Sequence, residues 1–250
     1  MNRAAVDYPT LAHRAERSRL TELAAVDGVR TRTGDGWLAV RTGLDSNDLN
    51  GVVGEPGHVP DAALLTDLGA WFGAVPASWH LAATDPVFAR TAAGAGWRPE
   101  TGARCAGRRL PFSVPVPPGL VVRRVDAAAD AAGWLDVAEA CEWFDTGERQ
   151  QRDPVLRALP RPRWIACRDG LPVGMASGWR DRELAEVVDV AVLPAVRRSG
   201  VGTALLGAVA GWASTADHLV AAPSPDGWAL MRALGFENRA ALSGVVAYWH

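Results

Sequence analysis

The segment VAVLPAVRRSGVGTALL, residues 190–206, restricts the choice of fold more than any other stretch of the chain. Its first part is apolar and β-branched and reads as a buried strand. Pro194 ends that strand because it has no amide hydrogen to give to a ladder. Its last part carries apolar residues at helical spacing. Between the two lie Arg197, Arg198, Ser199, Gly200, Val201, Gly202 and Thr203. Together with the β-α-α-β-β-β-α-β-α-β order of the elements around it, this strand and helix argue for a mixed α/β sheet. Glycines at such a turn let backbone N–H groups converge without a Cβ in the way. The helix N-terminus adds partial positive charge, and together these make a cradle for phosphate.

The dinucleotide fingerprint is a poor match. Its third glycine would be Leu205, Pro194 intervenes between strand and glycines, and the next strand, HLVAAP, has no acidic residue for a ribose. Another nucleotide held by the same glycine loop stays open.

The elements around this segment follow in a clear order. VVRRV reads as a strand, and Asp126 as an N-cap for the helix AAADAAGWLDVAEACEWF. ERQQRDPVLRAL is a second helix. RWIACRDGLPVGMASGW is two strands joined at Asp169-Gly170. ELAEVVDVAVL is a long strand, HLVAAP a short one, SPDGWALMRALGF a helix closed by Gly235, and GVVAYWH a final strand. Upstream, the prolines of FSVPVPPGL break any regular element, so 112–119 is expected to be a linker between domains at 1–111 and 120–250. The first domain contains a fainter copy of the second. SWHLAATDPVFARTAAGAGWRPE and HLVAAPSPDGWALMRALGFEN both run strand, Ala-Ala, Pro, helix and Gly-aromatic, which suggests a diverged duplication.

Arg197-Arg198-Ser199-Gly200-Val201-Gly202 resembles the (Q/R)xxGx(G/A) motif of the GNAT superfamily of N-acetyltransferases. The resemblance includes the VAV-x-P strand end before it and the LMRALGF after it, and covers about half the chain. It implies a mixed, mostly antiparallel sheet flanked by helices, here in two tandem copies. It also implies acetyl-CoA as cosubstrate, transfer of an acetyl or short acyl group to a primary amine, and no metal. By the same resemblance, Arg197 and the backbone of Arg198, Ser199, Gly200, Val201, Gly202 and Thr203 meet the pyrophosphate. Val190, Ala191 and Val192 lie along the pantetheine arm, beside a bulge in their strand. The Val192 N–H is the candidate donor to the thioester oxygen.

Acyl transfer to an amine requires a base, because only the neutral amine attacks. The long strand offers Glu186 and Asp189, whose opposite parity predicts opposite faces of the sheet. Glu186 falls where several GNAT members place their base, and burial would raise its pKa towards neutrality. The competing reading for both is a hydrogen-bonded strand carboxylate. The family's usual proton donor to the leaving thiolate is a Tyr, and Met231 stands there. Water or Ser224 is the substitute. A CoA thiol, with an unperturbed pKa of about 8.5, leaves tolerably without an acid. Without that Tyr, a non-catalytic acyl-CoA-binding sensor is the alternative. The first copy has no RxxGxG, only Gly57 in EPGHVPDAALL, and Ala92 at the Tyr position; it is expected not to bind CoA. Glu139, Glu142, Asp145 and Glu148 beside Trp143 form an acidic stretch that reads first as a solvated helix end, the alternative being that it attracts a cationic amine.

Composition excludes several other classes. All 26 basic residues are arginines, which removes P-loop, pyridoxal-phosphate and Schiff-base chemistry, each of which needs a lysine. The net charge of -2 argues against nucleic acid. The five histidines and three cysteines form no metal spacing. No apolar run is long enough for a signal peptide or a membrane span, so a cytoplasmic protein is expected.

Overall fold

The computed structural model describes residues 8–46, 49–55, 58–80, 86–103, 106–144, 148–181, 183–238 and 244–249. The chain forms two mixed α/β units, each built on one mostly antiparallel sheet with helices against it.

The first unit begins with α1 (Tyr8–Ala24), followed by β1 (Arg30–Gly34), β2 (Trp37–Arg41) and β3 (Asn50–Gly54). Then come α2 (Ala62–Phe72), β4 (Ala77–His80), α3 (Pro86–Gly94) and β5 (Arg98–Ala103). The second unit contains β6 (Ala106–Arg109), β7 (Leu120–Arg124), α4 (Ala128–Ala140), β8 (Arg163–Arg168) and β9 (Leu171–Arg180). It continues with β10 (Leu184–Val192), α6 (Val201–Trp212), β11 (His218–Ala221), α7 (Pro225–Ala233) and β12 (Glu237–Asn238). Between α4 and β8 runs α5 (Arg149–Ala158), and the last strand is β13 (Gly244–Trp249). Helix α4 starts behind Ala127 rather than Asp126, with no side-chain cap.

The duplication is visible in the strand orders. The first sheet runs β1-β2-β3-β4-β13-β5 and the second β12-β6-β11-β10-β9-β8-β7. In each, a strand, a helix and a parallel strand (β3-α2-β4 and β10-α6-β11) form the centre. Each also has an antiparallel strand slotted between the strand before its last helix and the strand after it. In the first sheet that slot holds β13, paired with β4 and β5. In the second it holds β6, paired with β11 and β12.

The expected division at 1–111 and 120–250 therefore differs from the observed units in two places. GVVAYWH completes the first sheet instead of the second, so residues 239–250 belong to the first unit and residues 106–111 to the second. Backbone pairing alone cannot select between two equivalent slots. Side chains select for β13: the Trp249 ring lies against Gly69 and Gly96, 5.7 Å from Trp97, and its Nε1–H donates to the Gly73 carbonyl at 2.7 Å. The proline-rich stretch is a packed strap rather than an open linker. Val114 lies against Gly207 of α6, Pro117 against Gly200, and the Phe112 ring meets Phe236 edge-on at 5.9 Å.

Each sheet has its own core. In the second unit Val201, Ala204, Leu205 and Val209 of α6 pack on Ala176, Ala185 and Val187 of the sheet. The valine and leucine side chains contribute roughly 1.5–3 kcal/mol each on burial, and each alanine methyl about 0.8 kcal/mol. In the first unit Trp79, Trp97, Phe72 and Phe88 form an aromatic core of edge-to-face pairs. Leu20, Leu23, Val53 and Leu159 make a further cluster there, and residues 155–159, the end of α5 and the residue after it, belong to this unit.

Candidate acyl-CoA site

Strand β10 is held on one side along its length and on the other only at its start. β9 pairs with it from Ala185 to Val192, whereas β11 pairs only with residues 184–187. Beyond Ala221 the chain turns into α7, so β11 and β10 part company. The Leu193 N–H donates to the Val173 carbonyl at 3.0 Å, on the β9 side. Amide direction alternates along a strand, so the Val190 and Val192 N–H groups point the other way, into the opening. Of the three candidate pantetheine contacts, the amides of Val190 and Val192 therefore lie on an edge with no strand partner among the described residues, which is what a ligand adding itself as a strand requires, whereas Ala191 points its amide towards β9 opposite Met175.

A bulge lies on this strand, with Val188 as the extra residue between Val187 and Asp189. Its consequence overturns the expectation that Glu186 and Asp189 face opposite sides. Glu186 stands opposite Trp179 and Asp189 opposite Ser177, and Trp179 and Ser177 share one face of β9. The added residue resets the alternation, so both carboxylates face α4. Asp189 accepts a hydrogen bond from the hydroxyl of buried Ser177. Arg163 is the partner of Ser177 on the far strand, and its guanidinium lies 5.8 Å from the Trp134 ring. Glu186 is half-buried, with Oε2 shielded from water.

After β10 a single 3-10 turn, Pro194–Val196, leads to the glycine loop. The Arg197 N–H closes that turn on Pro194, and its side-chain Nε donates to the Val192 carbonyl at 3.3 Å. Arg198 and Gly200 both have positive φ, at 65° and 85°. These two reversals turn successive N–H groups inward, and Gly200 begins α6 from the left-handed region with no side-chain cap. The first intrahelical bond runs from the Ala204 N–H to the Gly200 carbonyl at 3.0 Å. The N–H groups of Val201, Gly202 and Thr203 precede it and have no helical acceptor. At Gly202 a Cβ would come within 2.9 Å of Leu230 and 3.7 Å of Val192. The loop thus fits an anion: it is positive, uncapped and has little side-chain bulk.

The matching place in the first unit differs. Gly57 lies outside the described residues. The Asp61 carboxylate caps α2, accepting from the Leu64 N–H at 2.8 Å. A fixed negative charge therefore stands where the second unit offers bare amides.

Met231 lies in the apolar core of the second unit, 5% exposed, and Ala92 is likewise buried in the first. Ser224 is exposed and caps α7, accepting from the Gly227 N–H at 3.2 Å. Two carboxylates of the acidic stretch, Glu139 and Glu148, are paired with arginines that the sequence reading passed over. Arg149 binds Asp136 at 2.6 Å and Glu139 at 3.2 Å, and Arg152 binds Glu148 at 2.9 Å. Glu142 has a positive φ of 59°, Trp143 is exposed, and Asp145 lies outside the described residues. Burial raises the Cys141 thiol pKa at the end of α4, and the charge of Arg197 partly offsets this.

The sequence reading also passed over Arg168, at the end of β8. Its guanidinium donates to the Ser199 hydroxyl at 3.3 Å, and that hydroxyl donates to the Val196 carbonyl at 2.7 Å. The hairpin signal at Asp169-Gly170 was the available clue, since that hairpin ends beside Leu193. Among the described residues no cluster of His, Cys, Asp and Glu could hold a metal ion, and no helix is long and apolar enough to cross a membrane.

Residues 130–236 match the family described as Acetyltransferase (GNAT) family. They contain the bulged strand, the glycine loop and the two helices that follow it. Residues 130–236 form a GNAT-family domain. No curated protein matches the chain in sequence. Among solved structures, the whole chain is similar to a GCN5-related N-acetyltransferase from Kribbella flavida, with a TM-score of 0.68 at 19% identity over 95% of this chain and 94% of that one. A tandem GNAT protein from the clavulanic acid biosynthesis pathway matches with a TM-score of 0.59 at 17% identity, over 90% and 84%. A GCN5-related N-acetyltransferase from Sphaerobacter thermophilus matches at 0.55 and 17%, over 98% and 94%. At these identities the likeness is one of fold. It extends over both units, and the GNAT domain lies within the second.

Proposed function

We propose that the chain transfers an acetyl or short acyl group from acyl-CoA to a primary amine, in the GNAT domain alone. The observation that carries this reading is the uncapped α6 N-terminus, with its inward-turned amides, beside the open edge of β10. The loop from Arg197 to Thr203 would hold the pyrophosphate. The Val190 and Val192 N–H groups would hold the pantetheine arm and the thioester oxygen, with Val192 stabilising the negative charge that grows there. Glu186 accepts the proton of the attacking amine. The C–N bond forms as the C–S bond breaks, and the CoA thiolate takes its proton from water or the Ser224 hydroxyl. Holding both reactants in one cleft supplies much of the rate. The thiols of Cys141 and Cys167 are free, which supports a reducing compartment, the cytoplasm.

A non-catalytic acyl-CoA sensor is the second reading, favoured by buried Met231 in place of a proton donor. Calorimetric titration with acetyl-CoA, followed by turnover against a panel of amines, separates the two. One site per chain with turnover supports the enzyme, and one site without turnover supports the sensor. Two sites would overturn the assignment to the GNAT domain alone. No binding to the folded protein would overturn both readings.

A further inference from the structure

The flank of the glycine loop away from α7 is formed by β8 and the strap. Pro117 sits against Gly200, and Arg168 reaches Ser199 from the end of the β8–β9 hairpin. Arg168 is half-buried, whereas Arg197 and Arg198 are exposed. Arg197 also turns its Nε back on to the Val192 carbonyl. Arg168 and Arg197 each make one hydrogen bond at 3.3 Å, and Arg168 is the more buried of the two. Its neighbour Asp169 is exposed in the turn with a φ of 51°. A guanidinium presents five donors in a rigid fork, and the bond to Ser199 occupies one of them.

Resting on the acyl-CoA reading above, we propose that Arg168 is a phosphate-binding residue of the site. It would bring a fixed charge-assisted donor to a phosphate of CoA next to the backbone cradle. Ser199 aims it, since the hydroxyl is itself anchored to the Val196 carbonyl. The chemistry recognised is a phosphate monoester or diester, which in CoA is the ribose phosphate or the pyrophosphate.

The test uses the full chain and the variants Arg168→Gln, which keeps most of the apolar stem, Ser199→Ala and the pair together. CoA and 3′-dephospho-CoA are titrated into each, and kcat/KM is measured with acetyl-pantetheine, which lacks both phosphate groups. Arg168→Gln is expected to weaken CoA binding by about 10- to 100-fold, with the loss confined to phosphate-bearing ligands. A loss with CoA only assigns the ribose phosphate, and an equal loss with dephospho-CoA assigns the pyrophosphate; either supports the proposal. Salt should weaken CoA binding less in Arg168→Gln than in wild type, because one screened charge is gone. Unchanged CoA affinity in Arg168→Gln overturns the proposal. So does a parallel loss with acetyl-pantetheine, which would mean that Arg168 only supports the fold. Ser199→Ala leaves the Arg168 charge in place but unaimed, so it should lose no more than Arg168→Gln, and the double variant no more than Arg168→Gln alone; a double variant that loses the sum of the two single losses overturns the aiming role of Ser199. Wild-type protein that binds no CoA would bring down the acyl-CoA reading itself, and this proposal with it.

Discussion

Replacing Gly200 by alanine tests how the loop is held. Gly200 has a φ of 85°, and a Cβ there would lie 2.7 Å from Cγ of Pro117 and 3.7 Å from its Cδ. The left-handed conformation costs an L-residue about 1–2 kcal/mol. The contact with a rigid ring adds the usual cost of overpacking, about 1–3 kcal/mol. Gly200→Ala should therefore destabilise the fold by about 2–5 kcal/mol, which for a domain of this size lowers Tm by roughly 4–20 °C. The two contributions separate in a double-mutant cycle. Pro117→Ala removes the ring atoms, so in the Gly200→Ala background it should recover the steric part and leave the conformational part. Urea unfolding of the four proteins measures this. A Gly200→Ala protein within about 0.5 kcal/mol of wild type would refute the argument, since that is ordinary surface scatter. So would a Pro117→Ala substitution that recovers nothing, which would mean that the strap does not bear on the loop.

Glu186→Gln should lower kcat/KM about 10²- to 10³-fold near neutral pH and leave CoA affinity unchanged. The deficit should shrink as the pH approaches the amine's own pKa, and an unaltered pH–rate profile would remove Glu186 from the mechanism. Trp249→Ala should cost about 3 kcal/mol in urea unfolding, because it empties the site against Gly69 and Trp97. Trp249→Phe should recover part of that loss. His218 gives a pH prediction: burial first, then Arg109, hold its imidazole pKa below the ordinary 6.5, with Asp217 opposing them. The unfolded chain then takes up the proton first on acidification. The contribution of His218 is complete above about pH 6.5 and is lost as the pH falls below that value. Replacing His218 by Gln should flatten the urea midpoint between pH 7 and 5, and an unchanged slope would rule this out.

Much of the candidate site is local in sequence, which is why it could be read there. A strand end, Pro194, Arg197, Arg198, two glycines and a helix are consecutive, and each signal acts within a few residues. The phosphate cradle needs little else, being mostly backbone. The relation of Glu186 to Asp189 could not be read so. Parity places them on opposite faces unless a residue is inserted, and the insertion at Val188 is marked by no glycine or proline. Arg168 and Ser199 are far apart in the chain, and a surface arginine in a hairpin looks like any other. The carboxylates of the acidic stretch are close in sequence, while the arginines that pair with Glu139 and Glu148 are supplied by the next helix.

The sequence by itself determined the mixed α/β class, the two related halves and the glycine loop, because periodicity and turn chemistry are short-range. Only the tertiary structure decided which half each last strand completes, which face Asp189 presents, and that a proline-rich stretch is a strap. Those outcomes depend on backbone pairing between distant segments, which is almost blind to side-chain identity. They also depend on single close contacts, such as Trp249 on Gly69 and Pro117 on Gly200, which no local pattern announces.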